Sequence, residues 1–252
     1  MTNVTLPRVH WGRPSSAKRA LMVHGLGSSA QTCWYIMEAL AAKGWSGTAV
    51  DLRGHGSAPR ASRYAITDFA ADLEATHPAG DSSWDVVIGH SIGAAAAAVA
   101  SAQKPSWAKA LILIDPALQL DDDVRHMVLE NQRVGHRHQS AEDVQALNPS
   151  WHPQDCELKV QANQAASLFA LERAVFDNDP WNVTEFAHEV AVPTHVIGGE
   201  ESLGSMFCGD YAARMLQANA HFSYEVIAGA GHSVHRDKPA DTVAAISTFL
   251  EL

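Results

Sequence analysis

Three kinds of residue in this chain have the types and the spacing to cleave an acyl bond: a serine between glycines, a histidine after a glycine, and carboxylates where strands end. The serine is Ser91, in Gly89-His90-Ser91-Ile92-Gly93, a G-x-S-x-G pattern. A serine hydroxyl is a poor nucleophile at neutral pH and needs a base within hydrogen-bond reach. His232, in Gly229-Ala230-Gly231-His232, is the candidate base, with His235 close by as an alternative. A carboxylate would fix the imidazole tautomer and stabilise the imidazolium. The plain alternative for Ser91 is a strand-to-helix loop whose serine caps the helix.

The elements around these residues favour the chemical reading. Val86, Val87 and Ile88 form an apolar β-branched run, as a buried strand does. The run after Gly93 is alanine-rich, with the highest intrinsic helix propensity. Ser91 is thus expected in a sharp turn from strand to helix, where neighbouring backbone passes close and a Cβ would clash. Its hydroxyl would stand at the positive end of the following helix.

The remaining strands are read from similar runs: Val9–Gly12, Arg19–Val23, Gly47–Val50, Ala110–Ile114, Val192–Ile197 and Ser223–Ile227. Helical patterns separate most of them, at Trp34–Lys43, Ile66–Leu73, Asp210–Ala218 and Lys238–Glu251. Alternation of this kind predicts an α/β sheet, mostly parallel, and ligands bind at the carboxyl ends of its strands. Those ends carry His24-Gly25, Asp51, Ser91, Asp115, Glu200 and His232. Asp51, Arg53 and His55 share a loop with Gly54 and Gly56, and their expected work is hydrogen bonding that loop's backbone.

With His24-Gly25, Asp51-Leu-Arg-Gly-His-Gly56, Gly89-His-Ser-Ile-Gly93 and Gly229-Ala-Gly-His232 in this order, nearly the whole chain resembles the α/β-hydrolase family. The resemblance implies the α/β-hydrolase fold: eight mostly parallel strands flanked by helices, with a helical cap inserted after the sixth. Residues 1–117 and 191–252 would form the core, and 118–190 the cap. It also implies an oxyanion site built from the backbone amides of Leu26 and Ile92. The family's acid commonly follows the seventh strand as Gly-x-x-Asp, but Gly198-Gly-Glu-Glu-Ser202 has no aspartate. A family subset with a shorter loop points to Glu200, the expected acid. Glu201 and Asp115 are the alternatives.

The implied activity is cofactor-independent hydrolysis of carboxylic esters, lactones or thioesters through an acyl-enzyme. Hydrolysis of a C–C bond in a dicarbonyl compound is an alternative, as is a non-catalytic small-molecule binding role. A serine at the turn disfavours dehalogenase and epoxide-hydrolase chemistry, which resembling families perform with aspartate there.

Residues 118–190 change character, with an acid run (Asp121–Asp123), no clear strand, and helices expected at 124–138, 140–147, 153–174 and 182–189. His126, His136, His138, His152 and His188 lie there without metal-ligand spacing, so no metal site is expected. Met127, Leu147, Trp151, Phe169, Phe176 and Trp181 would line an apolar pocket or form the cap's own core.

The 252 residues are 46% hydrophobic and 18% charged, enough for a large core. A formal net charge of -10 argues against nucleic acid or an anionic membrane as partner; the partner that the resemblance implies is a small-molecule ester-like substrate. No run approaches the roughly 18–20 apolar residues of a membrane helix. Met1 to Arg13 lack the order of a signal peptide. Cys33, Cys156 and Cys208 form neither a disulfide framework nor a C-x-x-C pair, so a reducing cytoplasm is expected.

Overall fold

The computed structural model describes residues 3–80, 83–137 and 140–252. Its elements run β1 (Arg8–Trp11), β2 (Arg19–Val23), α1 (Trp34–Ala42), β3 (Ser46–Val50), α2 (Ile66–Glu74), β4 (Val86–His90), α3 (Ile92–Gln103) and β5 (Leu111–Ile114). Five helices follow: α4 (Asp122–His136), α5 (Ala141–Leu147), α6 (Pro153–Ala165), α7 (Leu168–Phe176) and α8 (Thr184–His188). The chain then returns through β6 (Thr194–Gly198), α9 (Gly209–Ala218), β7 (Phe222–Val226), α10 (Val234–Asp237) and α11 (Pro239–Phe249).

The strands form one sheet in the order β1-β3-β2-β4-β5-β6-β7, parallel except for β1, which pairs antiparallel with β3. Each expected strand is present, shifted by no more than two residues at either end. The described residues hold seven strands, not the eight that the resemblance implied. The edge is closed by β1 alone, whose Arg8 to Trp11 face Val50 to Gly47.

Both sheet faces are covered, which is why the central strands are apolar throughout. Leu21, Val23, Val87, Leu111 and Leu113 face α2 and α3. Ala20, Met22, Ile88, Ile112 and Ile114 face α1 and α11. Ala94 to Ala98 and Ala100 of α3 are fully buried, and the helix packs on α2 and the sheet, so small side chains let it sit close.

The strand order turns at β2 and β4: β3 lies on one side of β2, and β4 and β5 on the other. In such sheets the crevice at this point takes the ligand. His24-Gly25-Leu26 leaves the end of β2, and Ser91 leaves the end of β4.

The segment holding α4 to α7 departs and returns at neighbouring points, where Gln119 and Asn182 bridge antiparallel and Leu120 N donates to Trp181 O at 3.0 Å; α8 follows the return. The helix expected over 153–174 is two, α6 and α7, broken at Ala166 and Ser167. Ser167 N leaves the helical pattern to donate to Gly54 O at 2.9 Å. The acid run starts α4: Asp121 caps it by accepting from Val124 N at 2.8 Å, and Asp122 and Asp123 fill its first turn. No helix of the described residues is long and apolar enough to cross a membrane.

Candidate active site

Ser91 occupies a backbone conformation that side chains rarely adopt, φ 55° and ψ -122°. Strain of this kind needs surroundings that enforce it. Gly89 and Gly93 supply them: a Cβ on Gly89 would meet the backbone of Ala94, and one on Gly93 the carbonyls of Val23 and His24. The turn is therefore wedged between the start of α3 and the end of β2. The result lifts the Ser91 hydroxyl off the strand end into a cavity of about 290 Å³.

His232 faces this hydroxyl, with Nε2 3.0 Å from Ser91 Oγ. On the other side of the ring, Nδ1 lies 2.6 Å from Asp115 Oδ2. The order serine, imidazole, carboxylate is thus one hydrogen-bonded line. Asp115 is fully buried and has φ 39°, another enforced conformation. Its carboxylate also accepts from Ser205 Oγ (2.6 Å), Met206 N (2.9 Å) and Phe207 N (3.0 Å). A buried charge is stable where hydrogen bonds replace its hydration, and these donors meet that condition.

Glu200, the expected acid, does not reach His232. Its Oε1 accepts from Gly229 N at 2.6 Å, and its own amide donates to Ala230 O at 2.7 Å. The loop after β6 is held to the histidine loop by its backbone, which turns the Glu200 side chain onto that backbone and away from the ring. Glu201 also lies elsewhere, exposed in a short 3-10 turn. The acid at the imidazole comes from β5, the strand beside β4.

The Leu26 amide lies in the turn after β2, and Leu26 lines the cavity with Ser91 and His232. The Ile92 amide opens α3. Among the described residues neither amide has a protein acceptor.

Other histidines hold this framework together. His24 is buried, with Nδ1 2.8 Å from Gly25 O, and its Nε2 accepts from Leu52 N at 3.1 Å. His55 is buried likewise, between Arg53 O (3.0 Å) and Gly27 N (3.2 Å). Each must donate from Nδ1 and accept at Nε2, which fixes a neutral tautomer. Burial pushes His24 down to about 4 and His55 to about 3. Asp51 accepts from Ala30 N and Ser57 N, and Arg53 forms a two-pronged pair with Asp72 at 2.7 Å. The loop residues thus do the structural work expected of them.

His90, next to Ser91, has Nε2 3.0 Å from the His232 carbonyl oxygen and so holds the backbone of His232. Burial, with His235 and His232 nearby, keeps it well below the ordinary histidine range. His235 packs edge-on against His90 at 4.6 Å and does not take the place of His232. His136 bonds Asn163 O at 2.8 Å through Nδ1, and His152 caps α6. His126 and His188 are exposed, and His138 lies outside the described residues.

Of the apolar residues expected around a pocket, Met127 and Trp151 line the cavity. Leu147, Phe169 and Phe176 are exposed at 72%, 54% and 50%. Trp181 is buried in the main core, donating to Ala117 O at 2.7 Å. Sequence reading passed over two other wall residues, Lys159 and Arg236. Arg236 stands one helical turn beyond His232, the only local signal for it.

Comparison with known proteins identifies the family and the fold. The sequence matches the alpha/beta hydrolase family over residues 20–246. The chain belongs to that family. Among curated relatives, lipase LipV of Mycobacterium tuberculosis is 34% identical over 116 residues, 46% of this chain and 44% of the lipase. The chain therefore spans less than half the length of that relative. The 2-(acetamidomethylene)succinate hydrolase of Mesorhizobium japonicum is 23% identical over 252 residues, 92% of this chain and 87% of the relative. The crystal structure of an E-2-(acetamidomethylene)succinate hydrolase superposes with a TM-score of 0.86 at 20% identity, covering 99% of this chain and 96% of the other. That likeness is one of fold.

Proposed function

We propose that this α/β hydrolase is a serine hydrolase of carboxylic esters, with Ser91 as nucleophile, His232 as base and Asp115 as the supporting acid. The observation that carries the reading is the line from Ser91 Oγ through His232 to Asp115, at 3.0 and 2.6 Å, beneath a strained turn that opens into a cavity. Ser91 Oγ attacks the acyl carbon while its proton passes to His232 Nε2. The carbonyl oxygen takes the negative charge and binds the Leu26 and Ile92 amides; losing one such donor typically costs about 2.7–4 kcal/mol. The C–O bond then breaks, and the alcohol leaves with the proton from His232. Water repeats the sequence on the acyl-enzyme and releases the acid and free Ser91. Asp115, hydrogen bonded at Nδ1, stabilises the imidazolium throughout. The segment holding α4 to α7, within residues 118–190, serves as the cap, since α4 and α6 contribute Met127 and Lys159 to the cavity wall.

A second reading is hydrolysis of a bond other than an ester, including the C–C bond of a dicarbonyl compound. It draws on the relative matched over 92% of the chain, which is named for a succinate derivative and not for an ester. Three unpaired cysteines support a reducing, cytoplasmic setting.

The test is hydrolysis of short-chain p-nitrophenyl esters, with labelling by a serine-directed fluorophosphonate. Wild type is expected to turn over and to be labelled, and Ser91→Ala to do neither. Wild type that is inert in both assays would end the serine-hydrolase reading.

A further inference from the structure

The cavity at Ser91 carries positive charge that ester cleavage by the serine, histidine and acid does not use. Two of its wall residues are cations, Arg236 from α10 and Lys159 from α6. Arg236 is only 4% exposed. One of its terminal nitrogens, Nη2, donates to Ser28 Oγ at 2.8 Å, and the guanidinium lies 5.0 Å from the centre of the Trp151 ring. Its Nε has no partner among the described residues. Lys159 is half-buried, but its ammonium turns inward and donates to Gly27 O at 2.7 Å.

Neither cation forms an ion pair with a carboxylate among the described residues. The nearby acids are engaged elsewhere: Asp155 accepts from Trp34 Nε1 at 3.0 Å, and Asp237 from Trp151 Nε1 at 2.7 Å and Gly231 N at 2.9 Å. They act on Arg236 only at longer range. A buried cation without a close counter-charge costs free energy that a bound anion would recover. The planar guanidinium, steadied on an indole, has the fork geometry that suits a carboxylate. The cavity, at about 290 Å³, has room for a small molecule.

We propose that the substrate of Ser91 carries a free carboxylate held by Arg236 and Lys159, which makes the preferred substrates small acids with one acyl bond to cleave, such as half-esters of short dicarboxylic acids. This rests on the serine-hydrolase reading and narrows it. An acid in the cavity is paired on entry, whereas a neutral ester leaves both cations unpaired and displaces their water. Selectivity therefore comes from the charge at the wall, and the apolar residues there, Met127 and Trp151, give shape.

Two measurements on the 252-residue chain test this separately from catalysis. The first compares kcat/KM for mono-4-nitrophenyl glutarate and for 4-acetoxybenzoate, each against its own methyl ester. At least one acid is expected to be preferred by roughly tenfold or more, and Arg236→Gln and Lys159→Gln are each expected to shrink that ratio severalfold. The ratio is taken on one preparation, so any loss of folded protein cancels. Equal or better use of both methyl esters by wild type would overturn the proposal and leave the hydrolase reading standing. The second is calorimetric titration of Ser91→Ala with glutarate and with dimethyl glutarate. Glutarate alone is expected to bind, and more weakly to the double variants that add Arg236→Gln or Lys159→Gln. Binding of glutarate by a protein that hydrolyses no ester would keep the anion site and remove the hydrolase reading. Absence of glutarate binding would remove the anion site.

Discussion

Ser205 donates its hydroxyl to Asp115 Oδ1 at 2.6 Å, so a residue of the loop after β6 holds a carboxylate that belongs to β5. The same loop adds the amides of Met206 and Phe207 to that carboxylate. In the expected arrangement this loop supplied the acid itself. Here it supplies the donors, and the acid comes from the neighbouring strand. The two arrangements place a carboxylate at the same ring nitrogen of His232, and they differ in which strand end carries the charge.

Asp115→Asn is therefore expected to cost far more turnover than Glu200→Gln. Removing the charge behind the base, with its geometry kept, lowers kcat by about 10⁴ in a serine protease, and a loss of that order is expected for Asp115→Asn. Glu200→Gln removes the charge from the acceptor of Gly229 N, keeps an amide oxygen that can still accept, and removes no contact to the ring. It should change kcat by less than about tenfold and lower thermal stability only slightly, since a neutral hydrogen bond, worth about 0.5–1.5 kcal/mol, replaces a charged one worth about 1.5–3 kcal/mol. Steady-state kinetics on both variants checks this, and a larger loss in Glu200→Gln would return the acid to the loop after β6.

Ser205→Ala tests the support of the acid. Asp115 is fully buried, so the loss of one donor leaves a carboxylate lone pair without water or protein to meet it. The side chain can then turn away from His232. The expected result is a fall in kcat of roughly tenfold to a hundredfold with KM little changed, because Ser205 lies behind the acid and does not line the cavity. Ser205→Thr, which keeps the hydroxyl, should recover part of the loss. A rise in KM with kcat unchanged would place Ser205 in substrate binding instead.

Much of the framework was legible because it rests on local pattern. Val86 to Ile88 announce a buried strand, and Gly89 and Gly93 announce the close approaches that the turn at Ser91 requires. Gly231-His232 after the last strand is similarly local. The acid was not legible in the same way. Asp115 before Pro116 and Glu200 after Gly199 both read as carboxylates at strand ends, and sequence does not say which loop folds behind His232. The backbone bonds between Glu200 and Ala230 and the donors of Ser205 to Phe207 decide it, and these are contacts between distant segments. Arg236 and Lys159 were hidden for the same reason, since only packing brings α6 and α10 to one cavity. The exposed Leu147, Phe169 and Phe176 show the converse, that apolar type alone does not place a side chain at a pocket.

Acid should destabilise the fold through His24 and His55. Their folded pKa values, about 4 and about 3, lie below the ordinary 6.5. Below pH 6.5 the unfolded chain takes up protons that the folded chain refuses, so stability falls as pH drops, until the folded values are passed. For His24 the loss at pH 4 is on the order of 3 kcal/mol. His90 and His235, also held well below the ordinary range, act in the same direction. Melting temperature is expected to drop between pH 7 and 4.5. His55→Gln should start lower at pH 7 and fall less steeply; a slope equal to that of wild type would mean that His55 already carries its proton when folded.

Lys159 gives the anion site a pH dependence that the catalytic residues do not share. Burial, with the charge of Arg236 next, lowers its ammonium to about 7. The groups around it on other elements are Arg236, which remains cationic, and His24 and His55, which are neutral at that pH. Asp155 lies on its own helix, bonded to Trp34. As pH rises through 7 the lysine loses its proton and the cavity loses one of its two positive charges. A bound carboxylate would favour the protonated form and move the transition upward. The ratio of kcat/KM for an acidic half-ester to that for its methyl ester is therefore expected to fall from pH 6 to pH 9. His232 serves both substrates alike and cancels in the ratio. Lys159→Arg, which stays charged over this range, should flatten the profile, whereas Lys159→Gln should give a low ratio at every pH. A ratio that is flat in wild type and responds to neither variant would remove Lys159 from the recognition of the carboxylate and leave Arg236 to hold it alone.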